Sequence, residues 1–170
     1  MRRKDREVSS LEDQLDIINA CDVCRLALND EGGFPYIVPM NFGVDVQGDE
    51  ISLYFHGANE GTKLDLIARD NRASFEMDCD RNLILYEERM SCTMGYRSVI
   101  GRGVIEVVSE EQKLEALKII MRHYHAEDFE FSTKLMPVTT VLKLTVSSMV
   151  GKQRNNLHAP LREVGVFIRC

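Results

Sequence analysis

No run of apolar residues in this chain approaches the roughly 20 that a membrane-spanning helix requires, so no helical membrane span is expected. The first residues carry charge, but no apolar stretch follows them, and a secretory signal is not expected either. A positive balance is also missing. With 27 acidic against 21 basic residues the net charge is −6, and such a field disfavours nucleic acid. Neither G-x-G-x-x-G nor G-x-x-x-x-G-K-[ST] occurs, which removes the Rossmann fingerprint and the P-loop. There is no internal repeat and no low-complexity block. These absences leave a cytoplasmic protein with no membrane and no nucleic-acid partner. At 170 residues it is long enough for one domain with a real core, and its 44% hydrophobic and 28% charged residues suit that class.

The five cysteines are an odd number, which argues against a closed disulfide framework. Cys21 and Cys24 form a C-x-x-C pair, but no second pair follows. An extended segment would place His123 and His125 on one face, which makes a Cys2His2 zinc site conceivable. A zinc finger, however, wants H-x3–5-H. The pair also lies where a helix hands over to an apolar strand, a place where cysteine serves as a small hydrophobe. No metal and no catalytic thiol are expected. Arg2, Arg3, Lys4 and Arg6 form the one dense basic cluster; it is either a solvated arm or a cover for an anion on a neighbouring subunit.

Local pattern supplies the elements. Ser9-Ser10-Leu11-Glu12 reads as a capping box with Ser9 as cap, opening a helix to about Ala20. Strands are expected at 23–28, 35–44 and 51–55, with a hairpin turn at 29–33. Pro39 cannot donate a ladder hydrogen bond, so the second of these strands has an edge or a break there. A short helix ends near Asp70, and strands follow at 73–77 and 96–108. Gly101 and Gly103 suggest a bend, a bulge or a close ligand approach in the latter. Ser109-Glu110-Glu111-Gln112 opens a helix expected to bury Leu114, Leu117, Ile120, Met121 and Tyr124. A last strand covers 139–146. Six to seven strands joined by hairpins, with few helices between them, predict a mainly β protein with an antiparallel sheet able to close into a small barrel.

One stretch carries chemistry. Tyr54-Phe55-His56-Gly57-Ala58-Asn59-Glu60-Gly61-Thr62-Lys63 is a strand running into a glycine turn, with a hydroxyl and a lysine where a helix begins. Glycines allow close backbone approach, and a helix start offers unpaired N–H groups and a favourable dipole for phosphate. The plainer reading is a strand–turn–helix connection with a solvated lysine.

The order of Met1-Arg2-Arg3-Lys4-Asp5-Arg6-Glu7, Asp22-Val23-Cys24-Arg25-Leu26-Ala27, Val38-Pro39-Met40-Asn41-Phe42-Gly43, Tyr54-Phe55-His56-Gly57-Ala58 with Gly61-x-Lys63, Tyr96-Arg97-Ser98-Val99-Ile100-Gly101 and Gly151-Lys152 is more specific than any one piece. Together they resemble the pyridoxamine 5'-phosphate oxidase-like FMN-binding split barrels, and within them the nitroimidazole-resistance (Nim) branch. The resemblance implies a domain over residues 1–154, a tail over 155–170, and a homodimer with FMN in the cleft between subunits. It gives Thr62 and Lys63, with Gly61, the FMN phosphate. Pro39, Met40 and Asn41 would line the flavin ring, His56, Gly57 and Ala58 would run beside it, and Ser98 and Val99 would approach the cleft. Thr62 stands where many relatives carry a second cation. His56 is the one candidate catalytic residue, since an imidazole titrates near neutral pH and could protonate a reduced product.

The function so implied is a flavin-dependent reductase of nitroaromatic, quinone-like or other small electron acceptors. Alternatives are a non-catalytic FMN-binding or flavin-storage dimer, or a split barrel that uses haem or a deazaflavin. True pyridoxamine-phosphate oxidase activity is disfavoured: the arginine-rich C-terminal segments of that branch are missing, Arg162 and Arg169 standing apart from any strand signal.

Overall fold

The computed structural model describes residues 3–132 and 134–154. The expected tail, with Arg162 and Arg169, lies outside them. In chain order the elements are β1 (Glu7–Val8), α1 (Leu11–Asn19), β2 (Cys24–Asn29), β3 (Pro35–Met40), β4 (Phe42–Gln47), β5 (Glu50–Ala58), α2 (Thr62–Arg69), β6 (Arg72–Tyr86), β7 (Ser91–Val107), α3 (Glu110–His123) and β8 (Thr139–Arg154). All strands belong to one antiparallel sheet in the order β3-β2-β6-β7-β8-β5-β4, with the two-residue β1 added on β8. The count is therefore eight among the described residues against the expected six to seven, because the expected 35–44 strand is two strands, β3 and β4, and the two-residue β1 leaves no periodic signal.

The two ends of that order, β3 and β4, are consecutive in the chain and separated only by Asn41. The sheet thus curls until its edges come together at one residue without a ladder between them. This is a split barrel, and Pro39 explains the split. Lacking an N–H, it sits in the edge strand β3 opposite Arg25, and the expected single strand over 35–44 breaks two residues later.

Alternation in the strands decides which side chains enter the barrel. Leu26 and Leu28 of β2, Phe75 and Met77 of β6, Val99 and Ile105 of β7, Leu142 and Leu144 of β8 and Leu53 and Phe55 of β5 are all wholly or almost wholly buried. Ile17 and Ile18 of α1 plug one end of this core. The long strands β6 and β7 slip register between Cys79 and Asn82, where Asp80 adopts a positive φ of 54° and pairs with Arg97. A second slip lies between Arg102 and Gly103, where β7 passes so close to β8 that a Cβ on Gly103 would stand 2.0 Å from the Thr145 carbonyl oxygen.

Two helix details correct the expectations. The cap of α1 is Ser10 rather than Ser9: its Oγ accepts the Asp13 N–H at 3.0 Å. On α3, Leu114 is exposed, and the buried face is Lys113, Ala116, Leu117, Ile119 and Ile120. The lysine takes the expected place of leucine by burying its aliphatic stem while Nζ donates to the Met136 carbonyl at 3.1 Å and pairs with Glu110 at 2.6 Å.

Candidate functional site

Residues 54–63 run from the end of β5 through a glycine turn into α2. β5 ends at Ala58, and Asn59 ties the following turn to β8: its amide donates to the Pro137 carbonyl at 2.6 Å, and Thr140 Oγ1 donates back to Asn Oδ1 at 2.8 Å. Gly61 then caps α2 with φ 126° and ψ 163°, a conformation that side-chain-bearing residues rarely adopt. No side chain caps this helix start, so the N–H groups of Thr62 and Lys63 point out of the first turn without an intrahelical acceptor.

Lys63 folds back over β5. Its Nζ stands 2.9 Å, and its Cε 3.0 Å, from the position a Cβ on Gly57 would occupy. The glycine is thus the seat of the lysine head, on the face of β5 opposite the exposed side chain of His56. No ion pair involves Lys63 among the described residues. An unpaired ammonium, a hydroxyl at Thr62 and two outward N–H groups make a small donor cluster with no acceptor of its own.

The β4–β5 ladder ends at Phe42 opposite Phe55, one residue from Asn41 on one strand and from His56 on the other. Pro39 is exposed on the outer face of β3, whereas Met40 turns inward and packs against the core. The Asn41 amide donates to Tyr124 Oη at 3.1 Å and more weakly to the Asp22 carbonyl at 3.4 Å.

Ser98 and Val99 do not join this group within one chain. Gly57 pairs with Thr140 near the start of β8, while Ser98 pairs with Lys152 near its end. About 40 Å of extended strand separates those positions along β8. Val99 is wholly buried, so its side chain belongs to the core. Ser98 is half-buried and has a different neighbourhood, which sequence reasoning did not assemble. Lys152 Nζ lies 5.6 Å from the centroid of the Tyr96 ring. Burial opposes ionisation of the Tyr96 phenol, but hydrogen bonds from Lys152 and Arg6 outweigh it and hold the group below its ordinary value. Arg6 of the basic N-terminal cluster thus packs on the barrel, while Arg3 is paired with Asp5 at 2.6 Å.

The cysteine–histidine idea resolves differently from its sequence pattern. His123 is the last residue of α3 and His125 has a φ of 55°, so the two are not on one extended face. His123 Nε2 meets the Cys21 carbonyl oxygen at 2.8 Å rather than its thiol. Burial pushes the Cys21 thiol up, and pushes that of Cys24 to about 12. Among the described residues no group of three or more His, Cys, Asp or Glu could hold a metal ion.

An antiparallel barrel split at consecutive edge strands, with a glycine turn seating a lysine at its mouth, defines a recognisable structural class. The family model for pyridoxamine 5'-phosphate oxidase matches residues 10–153, and the chain belongs to that family. A solved structure of a candidate 5-nitroimidazole antibiotic resistance protein from Bacteroides thetaiotaomicron VPI-5482 is 32% identical, with 86% of each chain covered and a TM-score of 0.75. It bears out the resemblance to the nitroimidazole-resistance branch. Two more distant structures share the fold: an FAD and heme binding protein from Mycobacterium smegmatis (20% identity, 92% of this chain and 77% of that one, TM-score 0.76) and a flavocytochrome from Azotobacter vinelandii (18%, 100% and 79%, TM-score 0.76). A search of curated proteins returns no match.

Proposed function

We propose that this protein is an FMN-binding flavoprotein, a two-fold dimer that reduces small nitroaromatic, quinone-like or related acceptors. The observation that carries the reading is the Lys63 ammonium resting on Gly57, beside a helix start capped by Gly61. That cradle fits a phosphate: one fixed cation, a hydroxyl and backbone donors are the parts an anion nest needs. Lys63, Thr62 and Gly61 would hold the phosphate; Pro39, Met40 and Asn41 would line the ring, with His56, Gly57 and Ala58 beside it. The flavin, when bound, supplies the electron and hydride chemistry. The protein's part is to anchor one end, fix the ring against β3 and β5, and exclude water. Exposed His56, at the end of β5, is the group placed to hand a proton to a product.

The same geometry supports a dimer. Ser98 and Gly57, the seat of Lys63, pair with opposite ends of β8, so a cofactor touching both Ser98 and Lys63 would be met by two copies of the chain. Ile37, Ile100 and Val104 are exposed on the outer sheet face, and two-fold pairing is the commonest way to cover apolar side chains of that kind. No helix among the described residues is long and apolar enough to cross a membrane.

The test is the purified protein itself. Flavin absorption bands, twice the chain mass by light scattering, and reoxidation by a nitroaromatic or quinone after anaerobic reduction with a nicotinamide support the reading. A haem or deazaflavin spectrum replaces the cofactor, and a bound flavin that no reductant or acceptor turns over leaves a storage dimer.

A further inference from the structure

Tyr124 ends α3, and its phenol is the meeting point of three segments far apart in sequence. The Oη donates to the Asp22 carbonyl at 2.7 Å. It accepts from the Phe42 backbone N–H and from the Asn41 side-chain amide, each at 3.1 Å. One donor and two acceptor positions are all that a phenol offers, so the group is saturated and its orientation fixed. The ring next to it continues the clamp: His123 packs on Phe42 with centroids 4.2 Å apart, meets Tyr124 edge-on at 4.9 Å, and bonds the Cys21 carbonyl.

The place held is the one where the barrel splits. Asn41 is the single residue between the two edge strands and has no ladder of its own; Phe42 is the first residue of β4. A chain crossing without a ladder needs other donors and acceptors to define it, and here one phenol supplies them. We infer that Tyr124 is a positioning residue of the candidate cofactor site, fixing Asn41 and the β3–β4 crossing to the end of α3 and to the Asp22 carbonyl. This rests on the FMN reading above, and it concerns how the ring-lining segment is held rather than what anchors the phosphate.

Tyr124→Phe removes the hydroxyl and keeps the ring packing. The three hydrogen bonds lost at the crossing should let it relax, raising the Kd for FMN about three- to tenfold, on the order of one net hydrogen bond. The induced circular dichroism of the bound flavin should change, and the Phe42 amide should exchange faster with solvent. Ile120→Val, which trims the core beneath the same helix, serves as the control: it should lower Tm while leaving flavin affinity and dichroism as in the wild type. If Tyr124→Phe does not fold, 3-fluorotyrosine placed at 124 weakens the phenol as an acceptor with the shape nearly kept, and the same dichroism shift is expected. A Tyr124→Phe protein that loses thermal stability like the control, with FMN affinity and dichroism unmoved, returns Tyr124 to a purely structural role. Failure of the wild type to take up FMN overturns the cofactor reading and this proposal together, so the two failures are told apart.

Discussion

Replacing Gly57 by alanine tests the cofactor cradle at its smallest feature. The added Cβ would stand 2.9 Å from Lys63 Nζ, closer than real Cβ contacts allow, and the obstacle is the far end of a flexible side chain. The lysine must therefore swing off its seat while the strand stays as it is. Gly57 is not at a positive φ, and alanine costs a strand interior no more than glycine does, so stability should be nearly unchanged. A shift in Tm within about 3 °C corresponds to less than about 1 kcal/mol for a domain of this size. Affinity for FMN should respond more. A charge-assisted hydrogen bond to phosphate is worth about 1.5–3 kcal/mol, so Lys63→Ala should weaken binding about ten- to a hundredfold. Gly57→Ala displaces the charge without deleting it and should cost about three- to tenfold. Titration of the apo-protein with FMN, followed by flavin fluorescence, reads both. The double variant decides the mechanism: if Gly57 acts only through Lys63, adding Gly57→Ala to Lys63→Ala should change nothing further. Additive losses, or a Gly57→Ala protein that binds like the wild type while Lys63→Ala does not, would refute the seat.

Three further expectations concern the scaffold. Gly103→Ala forces a Cβ to within 2.0 Å of the Thr145 carbonyl, where backbone must move, and should destabilise by about 2–4 kcal/mol in chemical denaturation, against almost nothing for Gly57→Ala. The Asp70 carboxylate is held well below its ordinary value, chiefly by the Arg72 side chain, with the Arg72 N–H and Asn29 amide adding to it. A depressed folded-state value means stability present above the unfolded pKa of about 3.9 and lost as pH falls below it, so Asp70→Asn should flatten the acid limb of a stability–pH curve below about pH 4. Finally, brief alkylation at pH 7.5 followed by peptide mapping should modify the exposed Cys92 and spare Cys21, Cys24 and Cys79, which are buried with thiol pKa values raised by burial; rapid labelling of Cys24 in the folded protein would contradict its placement.

Much of this molecule was written in local pattern. Alternating apolar residues in 24–29 and 73–77, the glycine turns and the helix at 110–123 were legible because each depends on near neighbours. The Gly61-Thr62-Lys63 turn was legible too, since a glycine before a hydroxyl and a lysine at a helix start is a local arrangement. Local pattern failed where one residue's surroundings come from elsewhere. Leu114 and Lys113 are both compatible with an amphipathic helix, and only packing against β4, β5 and the Met136 carbonyl chose between them. Residues 78–88, where charges mix with Leu83, Ile84 and Leu85, show no clean alternation because a bulge at Asp80 shifts the pairing, and pairing over so long a hairpin is decided by the partner strand. The seat of Lys63 on Gly57 depends on how the turn folds α2 back onto β5, which residue types alone do not show. The saturated phenol of Tyr124 arises from the curl of the sheet, which brings residues roughly 80–100 positions apart within hydrogen-bond distance. The sequence determined which segments are strands and which residues are suited to an anion; the tertiary structure alone decided which of them meet, because contact across a barrel is set by strand order and register rather than by spacing along the chain.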